Sequence, residues 1–222
     1  MAYAPPSSQV VGQQEAETST QYEVGVKQRY LNGRMNVDIS YYDLHRRNIA
    51  IPSNDGILRQ QGNQRSRGIE LEFQAEPFYK WYTFICYGFS NVELTKFREK
   101  VPVGTDDSGR PIEMVFDRSG NDPAFTPRHI LNIWSTKEFE TGLGFGGSVR
   151  YIGRQYIDED NVFQIDPAII VDAIVYYKWD LFKFSINLKN LNNEQYEIRG
   201  FNNSSVIPAA GRAVYGNIDF SL

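Results

Sequence analysis

The sequence predicts an all-β chain: an antiparallel transmembrane β-barrel segment of about nine strands, with short periplasmic turns and long extracellular loops. Three observations predict it. Apolar and polar residues alternate with a period of two for about ten residues at a time, longer than the ~5–6 of soluble strands and close to the ~9–11 a tilted strand needs to cross a bilayer. Short turns near 32–33, 77–80, 140–142 and 180–181 alternate with long segments at 47–63, 93–126, 156–167 and 192–211. Aromatic residues gather at turn ends, as Tyr177 and Trp179 do, where a membrane interface favours them. A soluble β-sandwich also alternates, so the strand length and the loop asymmetry carry the distinction.

Residues 1–19, with Pro5, Pro6 and a run of Gln and Glu, have no periodicity and read as the end of an extracellular loop. The barrel portion runs over 20–222. From Thr20, Tyr22, Val24 and Val26 alternate with Glu23, Lys27 and Arg29; Asn32-Gly33 supplies a two-residue hairpin turn, and Met35, Val37, Ile39 and Tyr41 lead back. The segment from Arg47 to Asn63, with its IPSNDG core, reads as turn chemistry rather than strand. Ile69, Leu71, Phe73 and Ala75 share one face of the next strand, and Trp81, Thr83, Ile85, Tyr87 and Phe89 share one face of its return.

The polar stretch 93–126 reads as a long loop. Strand pattern resumes over 128–139, where Ile130, Leu131, Ile133 and Trp134 are apolar on both faces, and again from Leu143 to Tyr151. The clearest hairpin is 168–191. Ile169, Val171, Ala173, Val175, Tyr177 and Trp179 share one face, Asp180-Leu181 is the turn, and Phe182, Phe184, Ile186 and Leu188 restart the pattern. Val214, Gly216, Ile218 and Phe220 close the chain.

Several function classes are excluded or disfavoured. A net charge of -4 spread over both signs points to no nucleic-acid partner. The apolar runs of four or five residues are far below the ~18 of a membrane-spanning helix. The single cysteine, Cys86, excludes an internal disulfide and reads as a small lumen-side residue. His45 and His129 have no second ligand at metal spacing, so no metal site and no cofactor is expected. Gly142, Gly144 and Gly147 satisfy a dinucleotide-binding pattern but sit within a strand, where glycine serves curvature or close packing. The acidic run Asp158, Glu159 and Asp160 lacks the rest of a calcium loop and reads as solvated loop. With no nucleophile elbow and no paired catalytic carboxylates, no enzyme is expected.

Five segments, in order, resemble the C-terminal part of the barrel of TonB-dependent outer-membrane receptors of the ferric-siderophore class. ETSTQYEVGVK resembles the entry to a barrel strand, QRSRGIELEF the recurring strand with an RGxE core, and TPRHILNIW the strand after a long external loop. LKNLNNEQYE resembles the asparagine-rich strand end, and PAAGRAVYGNIDFSL the closing strand. The resemblance covers about 17 to 222. It implies import of a ferric siderophore or similar scarce ligand, with outer-membrane lipid, the TonB complex and the barrel-insertion machinery as partners. TonB would act through a plug domain, which, like a signal peptide, a coupling box and the early strands, has no counterpart here, so the resemblance implies a longer parent protein. The family commonly ends in an aromatic residue, whereas Phe220 is followed by Ser221 and Leu222. For ligand contact the loops offer Phe97, Arg98, Phe116, Arg118, Tyr156, Phe163, Arg199 and Phe201, aromatics and cations suited to anionic chelates. The alternative for each is packing of its own loop. The competing readings of the chain are a soluble all-β ligand- or carbohydrate-binding domain and a passive porin-like channel.

Overall fold

The computed structural model describes residues 16–51, 59–201 and 205–221. The IPSNDG core and residues 1–15 therefore lie almost wholly outside the described residues. Nine strands form one antiparallel sheet: β1 (Thr18–Tyr30), β2 (Met35–Ile51), β3 (Arg59–Phe78), β4 (Trp81–Lys96), β7 (His129–Glu138), β8 (Leu143–Ile152), β11 (Ala168–Trp179), β12 (Phe182–Lys189) and β15 (Ala213–Phe220). Each of these strands pairs with its sequence neighbours in the sheet, so the order is that of a meander. Three two-stranded ribbons lie in the long connections: β5 (Arg98–Thr105) with β6 (Pro111–Asp117), β9 (Gln155–Tyr156) with β10 (Gln164–Ile165), and β13 (Glu197–Phe201) with β14 (Ser205–Pro208).

The period of two survives across the whole sheet because the register aligns it. One rung reads Val26, Ile39, Leu71, Tyr87, Leu131, Tyr151 and Ile169 from β1 to β11; another joins Phe145, Val175 and Ile186. All are on one face, and much of that face is open to the surroundings, with Val24 69% and Ile186 56% exposed. A slip of one residue in β1 would turn Lys27 and Arg29 to that face, at ~2–4 kcal/mol each near a bilayer midplane.

The opposite face is polar and locally paired. Lys27 Nζ lies 2.6 Å from Asp38 Oδ2, Tyr42 Oη donates to Ser90 Oγ at 2.8 Å, and Lys189 Nζ donates to Asp172 Oδ2 at 2.9 Å. Two of its glycines, Gly68 and Gly144, are covered by neighbouring rings: a Cβ on Gly144 would fall 2.5 Å from an edge atom of Tyr176. Close packing under a ring is thus what Gly144 serves, whereas Gly142 lies in the turn before β8 at φ 84, and Gly147 is on the apolar face, where a Cβ would lie 3.3 Å from the Asp172 carbonyl oxygen.

Three expectations are corrected. The first hairpin does not turn on Asn32-Gly33 alone: Tyr30 pairs with Met35, and Leu31, Asn32 and Gly33 all take positive φ in a short 3-10 turn. The segment 47–63 is not mainly loop, since β2 continues to Ile51 and β3 starts at Arg59, past register shifts between Arg46 and Ala50. The stretch 93–126 is not irregular throughout, because β5 and β6 pair within it. In contrast, the two-residue turn at Asp180-Leu181 closes between Trp179 and Phe182 as expected, with Asp180 at φ 50.

Candidate functional site

Burial in this chain is concentrated at the long-loop end. Among the described residues the buried apolar side chains are Val92, Leu94, Phe97, Ile157, Ile165, Ala168 and Ile170. They sit where strand gives way to loop, so packing that an open sheet cannot supply fixes the loop bases. The root of the β5–β6 ribbon is also stitched by backbone: Arg118 N donates to Phe97 O at 2.8 Å, Gly120 N to Leu94 O at 2.8 Å, and Leu94 N to Asn121 O at 2.9 Å. At its tip the Asp106 carboxylate accepts from the Ser108 hydroxyl at 2.7 Å and from the Ser108 and Arg110 N–H groups, which together hold its carboxyl below the usual range.

The connections 93–126 and 153–167 are joined to one another. Asn161, at φ 58, donates from Nδ2 to Asp122 O at 2.8 Å and accepts from Asp122 N at 2.8 Å. Its amide thus occupies both hydrogen-bonding groups of a backbone residue. Asn121 Nδ2 donates to Glu159 O at 2.7 Å, and Phe125 N to Tyr156 O at 2.8 Å. Arg128 then ties Asp122 to the start of β7 through two bonds at 3.2 and 3.0 Å. The third connection joins through close packing: a Cβ on Gly200 would sit 2.9 Å from Ile157 Cδ1, and the Arg199 guanidinium lies 6.0 Å from the Phe125 ring.

The asparagine-rich strand end has a physical role here. Asn192 accepts from Val171 N at 3.1 Å and donates to Ile169 O at 2.7 Å, continuing the β11 pairing with a side chain after β12 has ended. Asn190, 4% exposed, donates to Glu194 O at 2.9 Å and accepts from Glu194 N at 2.8 Å.

The loop residues read from sequence divide. Phe97 is buried beside Leu94, and Phe116 lies under the Arg118 guanidinium at 5.0 Å, whose Nε is 3.2 Å from Glu99 Oε2. Tyr156 is half-buried in β9. Arg98, with Asp117 at 3.5 Å, Phe163 and Arg199 are exposed, and the Phe201 side chain lies outside the described residues. Sequence reasoning missed Asn121, Asp122, Phe125 and Asn161. Each is ordinary loop chemistry in sequence and becomes special only through a partner about 30 to 75 positions away.

Glu159 carries a pH consequence. Burial pushes its carboxyl up, and the neighbouring Asp158 and Glu99 carboxylates add to the shift. A raised folded value means its contribution is full below the ordinary Glu value of ~4.3 and is lost as pH rises through the folded one. Asp106 and Asp117 shift downward, so their contributions fall away only in more acid solution. Amide exchange over 153–167, corrected for the intrinsic rate, should therefore be faster at neutral pH than near ~4.5, and Glu159→Gln should flatten the difference. Equal pH dependence in the variant would remove Glu159 as the cause.

A family model described as TonB dependent receptor-like, beta-barrel matches residues 2–193. The chain belongs to the TonB-dependent receptor-like β-barrel family. It is 26% identical to the metal-pseudopaline receptor of Pseudomonas aeruginosa over 94% of this chain and 28% of that protein. With the ferrichrome outer membrane transporter/phage receptor of Escherichia coli it shares 28% identity over 90% of the chain and 26% of the relative. The crystal structure of the siderophore receptor PiuA from Acinetobacter baumannii superposes with a TM-score of 0.76 over 91% of this chain and 28% of that one, at 21% identity, a likeness of fold. The chain therefore spans little more than a quarter of the length of these relatives. As a member of this family it is part of an outer-membrane barrel wall, with the apolar face to lipid, and the soluble β-domain reading is set aside.

Proposed function

We propose that these strands and loops form part of the wall and outer mouth of a receptor that imports a ferric siderophore. The observation that carries this reading is the joined loop cluster, which holds aromatic and cationic side chains over the end of a polar-lined sheet. The names of the relatives, receptors for metal-pseudopaline and ferrichrome among them, support it. In this reading Arg98, Phe163, Arg199 and Phe201 meet an anionic chelate, Phe116, Arg118 and Tyr156 line the approach, and Phe97 braces the loop behind them. Transport is driven by the TonB complex through a plug domain carried elsewhere in the receptor, and the barrel-insertion machinery places the wall in lipid.

The test is radiolabelled ferric-siderophore uptake by iron-starved, receptor-deficient cells producing the intact receptor. Phe163→Ala with Arg199→Ala is expected to raise the half-saturating concentration roughly tenfold, the scale of one lost cation and one lost aromatic contact. Unchanged uptake would move the ligand away from these loops. Uptake that persists after the inner membrane is de-energised would favour the passive channel.

A further inference from the structure

The connection 153–167 is held in two places of different character. Its base is fixed by packing: Ile157 and Ile165 are 4% and 3% exposed, Phe125 N donates to Tyr156 O at 2.8 Å, and Ile157 lies against Gly200 of the third connection. Beyond Ile157 the contacts become polar. Asn161 exchanges two hydrogen bonds with the Asp122 backbone, and Asn121 Nδ2 donates to Glu159 O. Residues 158–163 therefore form a flap, anchored at its base by apolar burial and joined to 121–122 at its tip by amides. Val162, 74% exposed, and Phe163 ride on it.

Glu159 stands in that joint. It is half-buried, and the charged groups that act on it most are two carboxylates, Asp158 on its own connection and Glu99 on β5. The backbone N–H groups of Ala124 and of Glu159 itself favour the ionised form but do not outweigh burial. The cations of the facing elements are engaged elsewhere: Arg118 Nε lies 3.2 Å from Glu99 Oε2, Arg128 bonds Asp122 through two nitrogens, Arg98 has Asp117 at 3.5 Å, Lys100 has Glu113 at 3.4 Å, and Arg199 lies against the Phe125 ring. Arg154, at the start of the connection, is exposed. Once ionised, Glu159 stands between Asp158 and Asp160, three like charges in succession beside Glu99. Relief lies outward, into water. Outward motion of Glu159 pulls on the bond from Asn121 to its own carbonyl and on Asn161, two residues on.

We propose that residues 158–163 are a proton-operated latch between the connections 93–126 and 153–167: with Glu159 neutral the flap is closed on 121–122, and with Glu159 ionised it is released. The closed form favours the protonated carboxyl, so closure is complete below the ordinary glutamate value of ~4.3 and weakens as pH rises through the raised one. Asp106 and Asp117 on the β5–β6 ribbon shift the other way, so their contributions are lost only toward acid and do not produce an opening on rising pH. Closed, the flap keeps Phe163 at a fixed distance from the β5–β6 ribbon; released, it moves separately. The latch concerns loop motion and stands whichever ligand the mouth takes.

The test is a distance measurement on the intact receptor in detergent. Nitroxide labels on Val115→Cys and Val162→Cys, both exposed positions, in a Cys86→Ser background report the spread of flap positions by pulsed electron resonance. That spread should be about twofold wider at pH ~8 than at pH ~4.5. Glu159→Gln, which keeps the shape of the side chain without its charge, should stay narrow at both, and Asn161→Ala, which removes the joint, should be wide at both. Heat-modifiable migration on gels reports the folded barrel in each variant. A spread that ignores pH in the receptor carrying only the labels would overturn the proposal, as would a pH dependence that survives Glu159→Gln. A narrow spread in Asn161→Ala at acid pH would place the joint elsewhere and overturn it as well.

Discussion

Gly68→Ala is expected to be among the most damaging single-methyl additions in the sheet, costing about 3 kcal/mol or more. A Cβ there would run into the backbone carbonyl oxygen of Phe89 on β4 and, at 2.6 Å, into the ring of Tyr42 from β2. The ring alone could rotate, but its Oη donates to Ser90 Oγ at 2.8 Å and accepts from Ser66 Oγ at 3.4 Å, and Ser66 is itself buried. The backbone cannot move without parting β3 from β4. Gly88 is the internal control, one strand over and on the same polar face, because a Cβ there meets nothing within 4 Å. Gly88→Ala should change stability by no more than about 0.5 kcal/mol. Urea midpoints of the folded receptor, followed by heat-modifiable migration, check both. Equal effects at the two glycines would refute the close-packing account, which is also the account of the RGIE motif at 67–70.

The same contrast shows what the sequence discloses and what it hides. Strands crossing lipid announce themselves, because water on one face and hydrocarbon on the other force Val24, Val26, Ile39 and Leu71 into period two. Where β2 and β3 leave the membrane the pairing continues from Asp43 to Ile51, but both faces are wet and the pattern disappears. This is why 47–63 read as loop. The β5–β6 ribbon is hidden in the same way, since Val101 paired with Met114 is half a pattern among charges. At the candidate site, residue types were legible as loop aromatics and cations. Which of them face solvent was not, because Phe97 and Arg98 are neighbours in sequence and differ only in what the folded loop lays over them.

The largest expected effect is the failure of residues 1–222, produced alone, to act as a transporter. The sheet ends at β1, which pairs only with β2, and at β15, which pairs only with β12. Closing it on itself would bring β1 and β15 together as parallel strands, since nine is odd and every neighbouring pair is antiparallel. Left open, β1 has 13 residues and β15 has eight, so roughly half of their N–H and C=O groups face hydrocarbon without a partner. Each unsatisfied group there costs several kcal/mol, whereas a whole domain is stable by only ~5–15 kcal/mol, so a handful of them is decisive. Burial cannot compensate, because among the described residues no large side chain is fully buried. Both edges require further strands. Expressed alone, the chain should collect as aggregate, migrate identically on gels whether heated or not, and restore no siderophore uptake to a receptor-deficient strain. Co-production with the remaining strands and plug of a full receptor should recover heat-modifiable migration. Uptake restored by residues 1–222 without any partner would show that the edges are closed in a way the nine-stranded sheet does not contain.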